Sequence, residues 1–219
     1  PAATPCACSG AAEGAAGRGQ VEVVEGDVEA PWMGLGGAEA FANLAERIGT
    51  VVHCAGRVNL ALPYRALRGP NVQGTGWVVR FALHNGRSRP LHHVSTSAVL
   101  RAAAGPGQLD PCPVGDLWAA ARGGANAGGY VQSKWAAEQV VLRAASRGLR
   151  GAIYRVGALA GPRGPGCSNP RDGTLLLLAA CARAGAAPAP HTVPWSLECS
   201  PVDDVASAVA ERAAGGAAG

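Results

Sequence analysis

Thr50-Val51-Val52-His53-Cys54-Ala55-Gly56 is a run of β-branched and apolar residues that stops at a small-residue break. That pattern makes a short buried strand. Downstream, Asn71, Val78, Val79 and Ala82 recur at helical spacing and predict a helix over about Tyr64 to Leu83. Pro90 to Ser95 reads as a second strand, Gly129 to Ser146 as the strongest helix, and Gly151 to Arg155 as a third strand. Upstream, Val21 to Glu25 is a β-rich run ended by Gly26-Asp27, and Ala38 to Arg47 has a helix pattern. Gly173 to Ala184 and Val202 to Ala213 are further helices. Strands alternating with helices specify an α/β domain built on a parallel sheet with covered faces. Such sheets bind ligands at the carboxyl ends of their strands. Asp27, Ala55-Gly56, Ser95-Thr96 and Arg155 to Gly157 all end or follow strands, so one edge collects the polar and small residues.

One residue on the strongest helix stands apart. Of 19 basic residues in the chain, a single one is lysine, Lys134, four positions after Tyr130. Arginine serves everywhere else. A lysine is a compact point charge and an arginine a rigid planar fork, so the exception marks a position that needs an ammonium. Positions i and i+4 share a helix face. The expectation is that Lys134 lies one turn from the Tyr130 phenol and lowers its pKa, making a general acid/base. The alternative is a solvated surface lysine.

Composition removes several functional classes. With 219 residues, one α/β domain is expected. The net charge is +4 and the arginines are scattered, with no basic stripe interleaved with aromatics, so nucleic-acid binding has no support. Seven cysteines show no pair of C-x-x-C elements and are expected to be reduced. His92 and His93 are adjacent on a strand and must point to opposite faces, so no metal site is expected. No apolar run is long enough for a membrane span; the longest is Leu175 to Cys181. Residues 1–19 are rich in Ala, Gly, Pro and Cys and are expected to form a disordered tail or linker. A cytoplasmic location is expected.

An ordered set of motifs then emerges. Gly26 to Pro31, His53 to Asn59, Pro63-Tyr64, Leu67-Arg68, Asn71 to Thr75, His93 to Val99, Gly129 to Trp135, Tyr154 to Gly157 and Pro201 to Ala206 resemble, in sequence, the extended short-chain dehydrogenase/reductases. Within that group His53 to Thr75 and Tyr130 to Glu138 most resemble the thioester reductase domains of non-ribosomal peptide and polyketide synthetases and of carboxylic acid reductases. The likeness covers roughly residues 18–212. It implies a Rossmann-like, doubly wound parallel sheet over residues 20–214, with a small substrate cap within about 158–200. It implies NADPH as cofactor and, as partner, an acyl or peptidyl carrier domain bearing a phosphopantetheine-linked thioester.

The resemblance also implies roles. Thr96 would hydrogen-bond the substrate carbonyl, Tyr130 would donate the proton, and Lys134 would bind the nicotinamide ribose. Asp27 with Val28 would hold the adenine. Cys54, Ala55 and Gly56 would form the loop under the cofactor, supported by Asn71. Val156 and Gly157 would form the turn touching the nicotinamide amide. Each has a plainer reading: Asp27 as a turn residue, Ala55-Gly56 as a strand break, Asn71 as a cap of a broken helix, Ser95-Thr96-Ser97 as a polar strand end. Asp203-Asp204 are expected to begin the last helix, where negative charge suits the dipole. Cys167 and Cys199 are expected to be structural.

The sequence departs from the family pattern at Cys54, where Asn is frequent, and at Val156, where Pro is usual. The glycine fingerprint that cradles the pyrophosphate does not occur before Gly26; Gly10, Gly14, Gly17 and Gly19 follow no strand. The chain is therefore expected to be N-terminally truncated, lacking the first βαβ unit, and to bind NADPH weakly by itself. The leading expectation is reduction of a carrier-bound thioester to an aldehyde or alcohol. Alternatives are a sugar-nucleotide epimerase or dehydratase, a fatty acyl reductase, or a non-catalytic remnant.

Overall fold

A computed structural model of the chain describes residues 21–100, 128–164, 168–170, 172–187 and 199–215. The tail expected at residues 1–19 lies outside these residues. Two compact units are present: Val23–Val156 with Val209–Gly219, and Pro1–Glu22 with Gly157–Ala208.

The first unit holds a three-stranded parallel sheet in the order β1 (Val51–His53), β2 (Leu91–Thr96), β3 (Gly151–Val156). Its register pairs His53 with His93 and Thr96 with Val156. Between β1 and β2 run α2 (Tyr64–Arg68), a wide π-type turn (Gly69–Gln73) and α3 (Gly74–Ala82). The long helix expected over Tyr64 to Leu83 is present from Tyr64 to Ala82, with its middle turn widened. Pro70 is the reason: it has no N–H to donate, and its ring displaces the carbonyl a turn earlier. After β2 comes α4 (Gly129–Ala145), and ahead of β1 lies α1 (Ala38–Arg47).

Two apolar clusters hold this unit. Val78, Val79 and Ala82 of α3, Leu91 of β2, Val141 and Ala144 of α4 and Leu149 form one. Val28 and Met33 pack against it. Phe41 and Ala45, one turn apart on α1, join Phe81 in the second. There Phe41 meets Phe81 edge-on at 5.2 Å and Trp32 at 5.6 Å. Fully burying each large side chain contributes about 1.5–3 kcal/mol.

The expected strand at Val21 to Glu25 is absent. Val21 and Val23 are almost fully exposed and pair with nothing among the described residues. Apolar β-branched residues favour an extended chain, but a strand requires a ladder partner.

The second unit contains two three-residue strands, β4 (Ala158–Ala160) and β5 (Cys199–Pro201), paired in parallel. The sequence reading did not include them, since three residues carry no usable period. Helix α5 (Gly173–Ala184) is capped at both ends: Asp172 Oδ1 accepts the Leu175 N–H at 3.0 Å, and Gly185 takes the left-handed conformation at its C-terminus. Helix α6 (Val202–Gly215) begins with Asp203 and Asp204, as expected. Asp204 also forms a two-pronged ion pair with Arg163, at 2.5 and 2.9 Å.

One glycine is indispensable to the placement of α4. A Cβ on Gly129 would lie 2.4 Å from Tyr64 N and 2.5 Å from Leu62 O, both backbone atoms that cannot rotate away. Gly129→Ala should therefore destabilise the protein by about 1–3 kcal/mol, outweighing the better helix propensity of alanine. Urea unfolding of the two proteins checks this; an unchanged or higher midpoint would contradict it.

Candidate active site

Parallel pairing brings the carboxyl ends of β1, β2 and β3 to one edge. Cys54, Ala55 and Gly56 leave β1 there as an exposed loop, Thr96 ends β2, and Val156 ends β3 opposite Thr96. Gly157 follows directly and begins the second unit.

Asn71 ties the loop to helix α4. It is 2% exposed and sits in the π-type turn that Pro70 enforces. Its Oδ1 accepts the Arg57 N–H at 2.7 Å, and its Nδ2 donates to Arg57 O at 3.1 Å and to Ser133 Oγ at 2.8 Å. Ser133 Oγ in turn donates to Tyr130 O at 2.7 Å. An Asn amide has two donors and one acceptor oxygen, and all are used here. A Cβ on Gly56 would stand 3.1 Å from Asn71 Oδ1, so the small residue lets the loop lie close to its support. Thr75 Oγ1 donates to Asn71 O at 2.7 Å and lies 2.9 Å from His53 Nε2. With the threonine proton committed, the His53 Nε2–H is the donor in that second bond.

Lys134 is 7% exposed, which excludes the solvated-lysine alternative. Its Nζ donates to the Val94 carbonyl of β2 at 2.9 Å. Burial lowers its pKa, while the Glu138 carboxylate and the Cys54 thiol pull it back up. The effect expected on Tyr130 is not what the structure shows. Burial pushes the half-buried phenol above its ordinary value. The ammonium is turned towards β2, and its field falls on His53, His93 and Cys54.

Thr96 is half-buried, and its Oγ1 accepts the Ala98 N–H at 3.2 Å. The neighbouring Ser97 Oγ is buried without a partner among the described residues. Val156 O accepts the Ser97 N–H at 2.8 Å, which links the β2 and β3 ends. Asp27 behaves as its plainer reading anticipated: its Oδ1 accepts the Glu29 N–H at 2.9 Å in a local turn. Val28 faces the core and touches the position a Gly74 Cβ would occupy, at 3.0 Å.

The adjacent histidines diverge as strand geometry requires. His92 Nδ1 meets the Tyr154 hydroxyl at 2.6 Å, while the His93 ring lies 5.0 Å from that of His53. Among the described residues no three His, Cys, Asp or Glu side chains converge as metal ligands, and no helix is long and apolar enough to cross a membrane.

Some site residues escaped the sequence reading. Glu138 is fully buried and binds Ser95 and Arg155. Ser133 bridges Asn71 to Tyr130. The available signal was helical spacing: Tyr130, Ser133, Lys134 and Glu138 fall on one face of α4.

Residues 10–209 match the NAD-binding family described as Male sterility protein, and the chain belongs to that family. It is 34% identical over 199 residues to glycine betaine reductase ATRR of Emericella nidulans, covering 87% of this chain and 14% of the relative. It is likewise 34% identical over 201 residues to L-2-aminoadipate reductase of Saccharomyces cerevisiae, covering 86% of this chain and 14% of that protein. Among solved structures, it resembles the terminal R domain of the myxalamid PKS-NRPS pathway (TM-score 0.72, 35% identity), over 85% of this chain and 45% of that one. The reductase (R) domain of a non-ribosomal peptide synthetase from Mycobacterium tuberculosis is similar at a TM-score of 0.66 and 31% identity, over 87% of this chain and 47% of that one. The chain therefore spans about one seventh of these curated relatives and just under half of the solved domains. The fold is the Rossmann-like α/β fold of those reductase domains, and the family binds a nicotinamide dinucleotide.

The buried histidines make stability depend on pH. Burial, reinforced by Lys134, depresses His53 to about 4 from an ordinary 6.5, and His93 lies lower still. Both are neutral in the folded protein, whereas the unfolded chain protonates them below 6.5. The unfolded state thus binds more protons below pH 6.5, and stability falls as pH drops towards 4. The slope should reach about 1.4 kcal/mol per pH unit for each histidine. Denaturant unfolding at pH 7.5 and 5.5 measures it; a His53→Asn/His93→Leu variant should lose that dependence, and an unaltered slope would refute the assignment.

Proposed function

We propose that this chain carries the catalytic residues of an NADPH-dependent reductase acting on carrier-bound acyl or peptidyl thioesters. The observation that carries the reading is the chain's one lysine, buried a turn after Tyr130 where α4 meets the carboxyl ends of the strands. The names of similar proteins support the substrate class: reductase domains of peptide and polyketide synthetases and an aminoadipate reductase.

The residues fit the nicotinamide end of the cofactor. The exposed backbone of Cys54, Ala55 and Gly56 lies on the rigid Asn71 support. The Ser97 hydroxyl, buried and without a partner among the described residues, would be available to a polar group. Lys134 would hold the ribose hydroxyls, Val156 and Gly157 would contact the nicotinamide amide, and Asp27 with Val28 would bind the adenine. When bound, the reduced nicotinamide supplies a hydride to the thioester carbonyl carbon.

Thr96 and Tyr130 then act on the carbonyl oxygen. Thr96 Oγ1 donates a hydrogen bond, and Tyr130 transfers its proton as negative charge develops. The resulting thiohemiacetal breaks its C–S bond, releasing the carrier thiol and an aldehyde. A second round would give an alcohol.

Lys134→Arg in the full-length protein should lose about 10²-fold or more in kcat/KM. Charge is kept, but a planar guanidinium does not fit the buried site against Val94 O. NADPH oxidation with an acyl-pantetheine thioester is the assay, with Tyr130→Phe alongside. Wild-type activity in Lys134→Arg with a dead Tyr130→Phe would contradict the role given to the lysine. An inactive wild type on thioesters would contradict the substrate class.

A further inference from the structure

Glu138 is the most constrained charge among the described residues, and the reaction itself does not use it. It is 0% exposed, on the face of α4 that carries Tyr130 and Lys134. Its Oε1 accepts the Ser95 hydroxyl at 2.5 Å. Arg155 grips both oxygens, with Nε at 3.1 Å from each and Nη2 at 2.7 Å from Oε2. Arg155 is itself only partly exposed. Ser95 immediately precedes Thr96 at the end of β2, and Arg155 immediately precedes Val156 at the end of β3.

We propose that Glu138 is a positioning residue: its carboxylate clamps α4 to the ends of β2 and β3, setting Thr96 against Tyr130 and Lys134, and serves as the counter-charge for the buried Lys134 ammonium. The inference rests on the reading of Thr96, Tyr130 and Lys134 as the catalytic set. Glutamate is needed for two reasons. A buried carboxylate with one partner would be destabilised by desolvation, whereas a hydroxyl and a two-pronged guanidinium satisfy it. A side chain one methylene shorter could not reach Ser95 and Arg155 together from this helix.

The charge argument is set by what faces Lys134. His53 and Cys54 approach from the end of β1, His93 from β2, Tyr130 and Glu138 from its own helix. His53 and His93 are kept neutral by burial, the Cys54 thiol is pushed up, and the Glu138 carboxylate is shared with the Arg155 guanidinium of β3. Without it the ammonium would lose the buried carboxylate that lies one turn further along the same helix.

The single lysine makes the test direct. Protein grown with [13Cε]-lysine gives one side-chain Cε resonance, whose shift reports Lys134 titration with no substrate present. Glu138→Gln keeps size and the hydrogen bond to Ser95 but removes the charge. It should lower the Lys134 midpoint by about one pH unit or more. Glu138→Asp keeps the charge but not the reach; its Lys134 midpoint in this chain should stay near wild type, while in the full-length protein kcat falls about 10-fold or more and KM for thioester and NADPH stays within a few-fold. An unchanged Lys134 midpoint in folded Glu138→Gln would overturn the counter-charge role. Wild-type kcat in Glu138→Asp would overturn the positioning role, and this arm still decides if the Gln variant does not fold. If the wild type fails to reduce thioesters, the substrate class fails while the lysine titration still judges Glu138.

Discussion

The site depends on keeping one ammonium out of water. Lys134 is held between the Val94 carbonyl and a protein interior that lowers its pKa, with Glu138 opposing the shift. An isolated buried ammonium is costly and tends to lose its proton. The surrounding chain answers with a carbonyl aimed at the charge, a carboxylate one turn along the helix, and two histidines kept neutral. The same features order the framework. Val94 and Ser95 fix β2 to α4, Arg155 fixes β3, and Asn71 fixes the loop after β1 through Ser133.

This arrangement explains why irregular structure concentrates in one place. The helix between β1 and β2 widens over Gly69–Gln73, and the wide turn there presents Asn71 to Arg57 and Ser133 together. A straight helix would carry Asn71 through a regular turn and leave the loop without support. Gly129 allows α4 to start against the backbone of Leu62 to Tyr64, which places Tyr130 and Ser133 at the strand ends. Local departures from regularity therefore serve the relative placement of three elements.

Much of this was legible in the sequence. Helices Ala38–Arg47 and Gly173–Ala184 start and stop where periodicity and flanking glycines put them. The strands after Thr50, Pro90 and Arg150 follow from β-branched runs bounded by breaks. The Tyr130–Lys134 spacing pointed to the site because helical geometry is local. Long-range effects were not legible. Which side of Lys134 its charge would face depends on Val94, forty positions away, so the anticipated effect on Tyr130 missed the protein's actual choice. The Glu138–Arg155–Ser95 cluster joins three elements and gives no local signal beyond one helical turn. Val21 to Glu25 had strand composition but forms no strand pairing among the described residues, and composition does not supply one.

The central claim is that Lys134 is a buried cation held against β2 near the carboxyl edge of the sheet. Its reaction with an amine-selective acylating reagent, followed by peptide mass spectrometry, tests this most directly because no other side-chain amine competes. The account predicts that Lys134 is acylated far more slowly in the folded protein than in denaturant. Acylation of the folded protein at the denatured rate would contradict it.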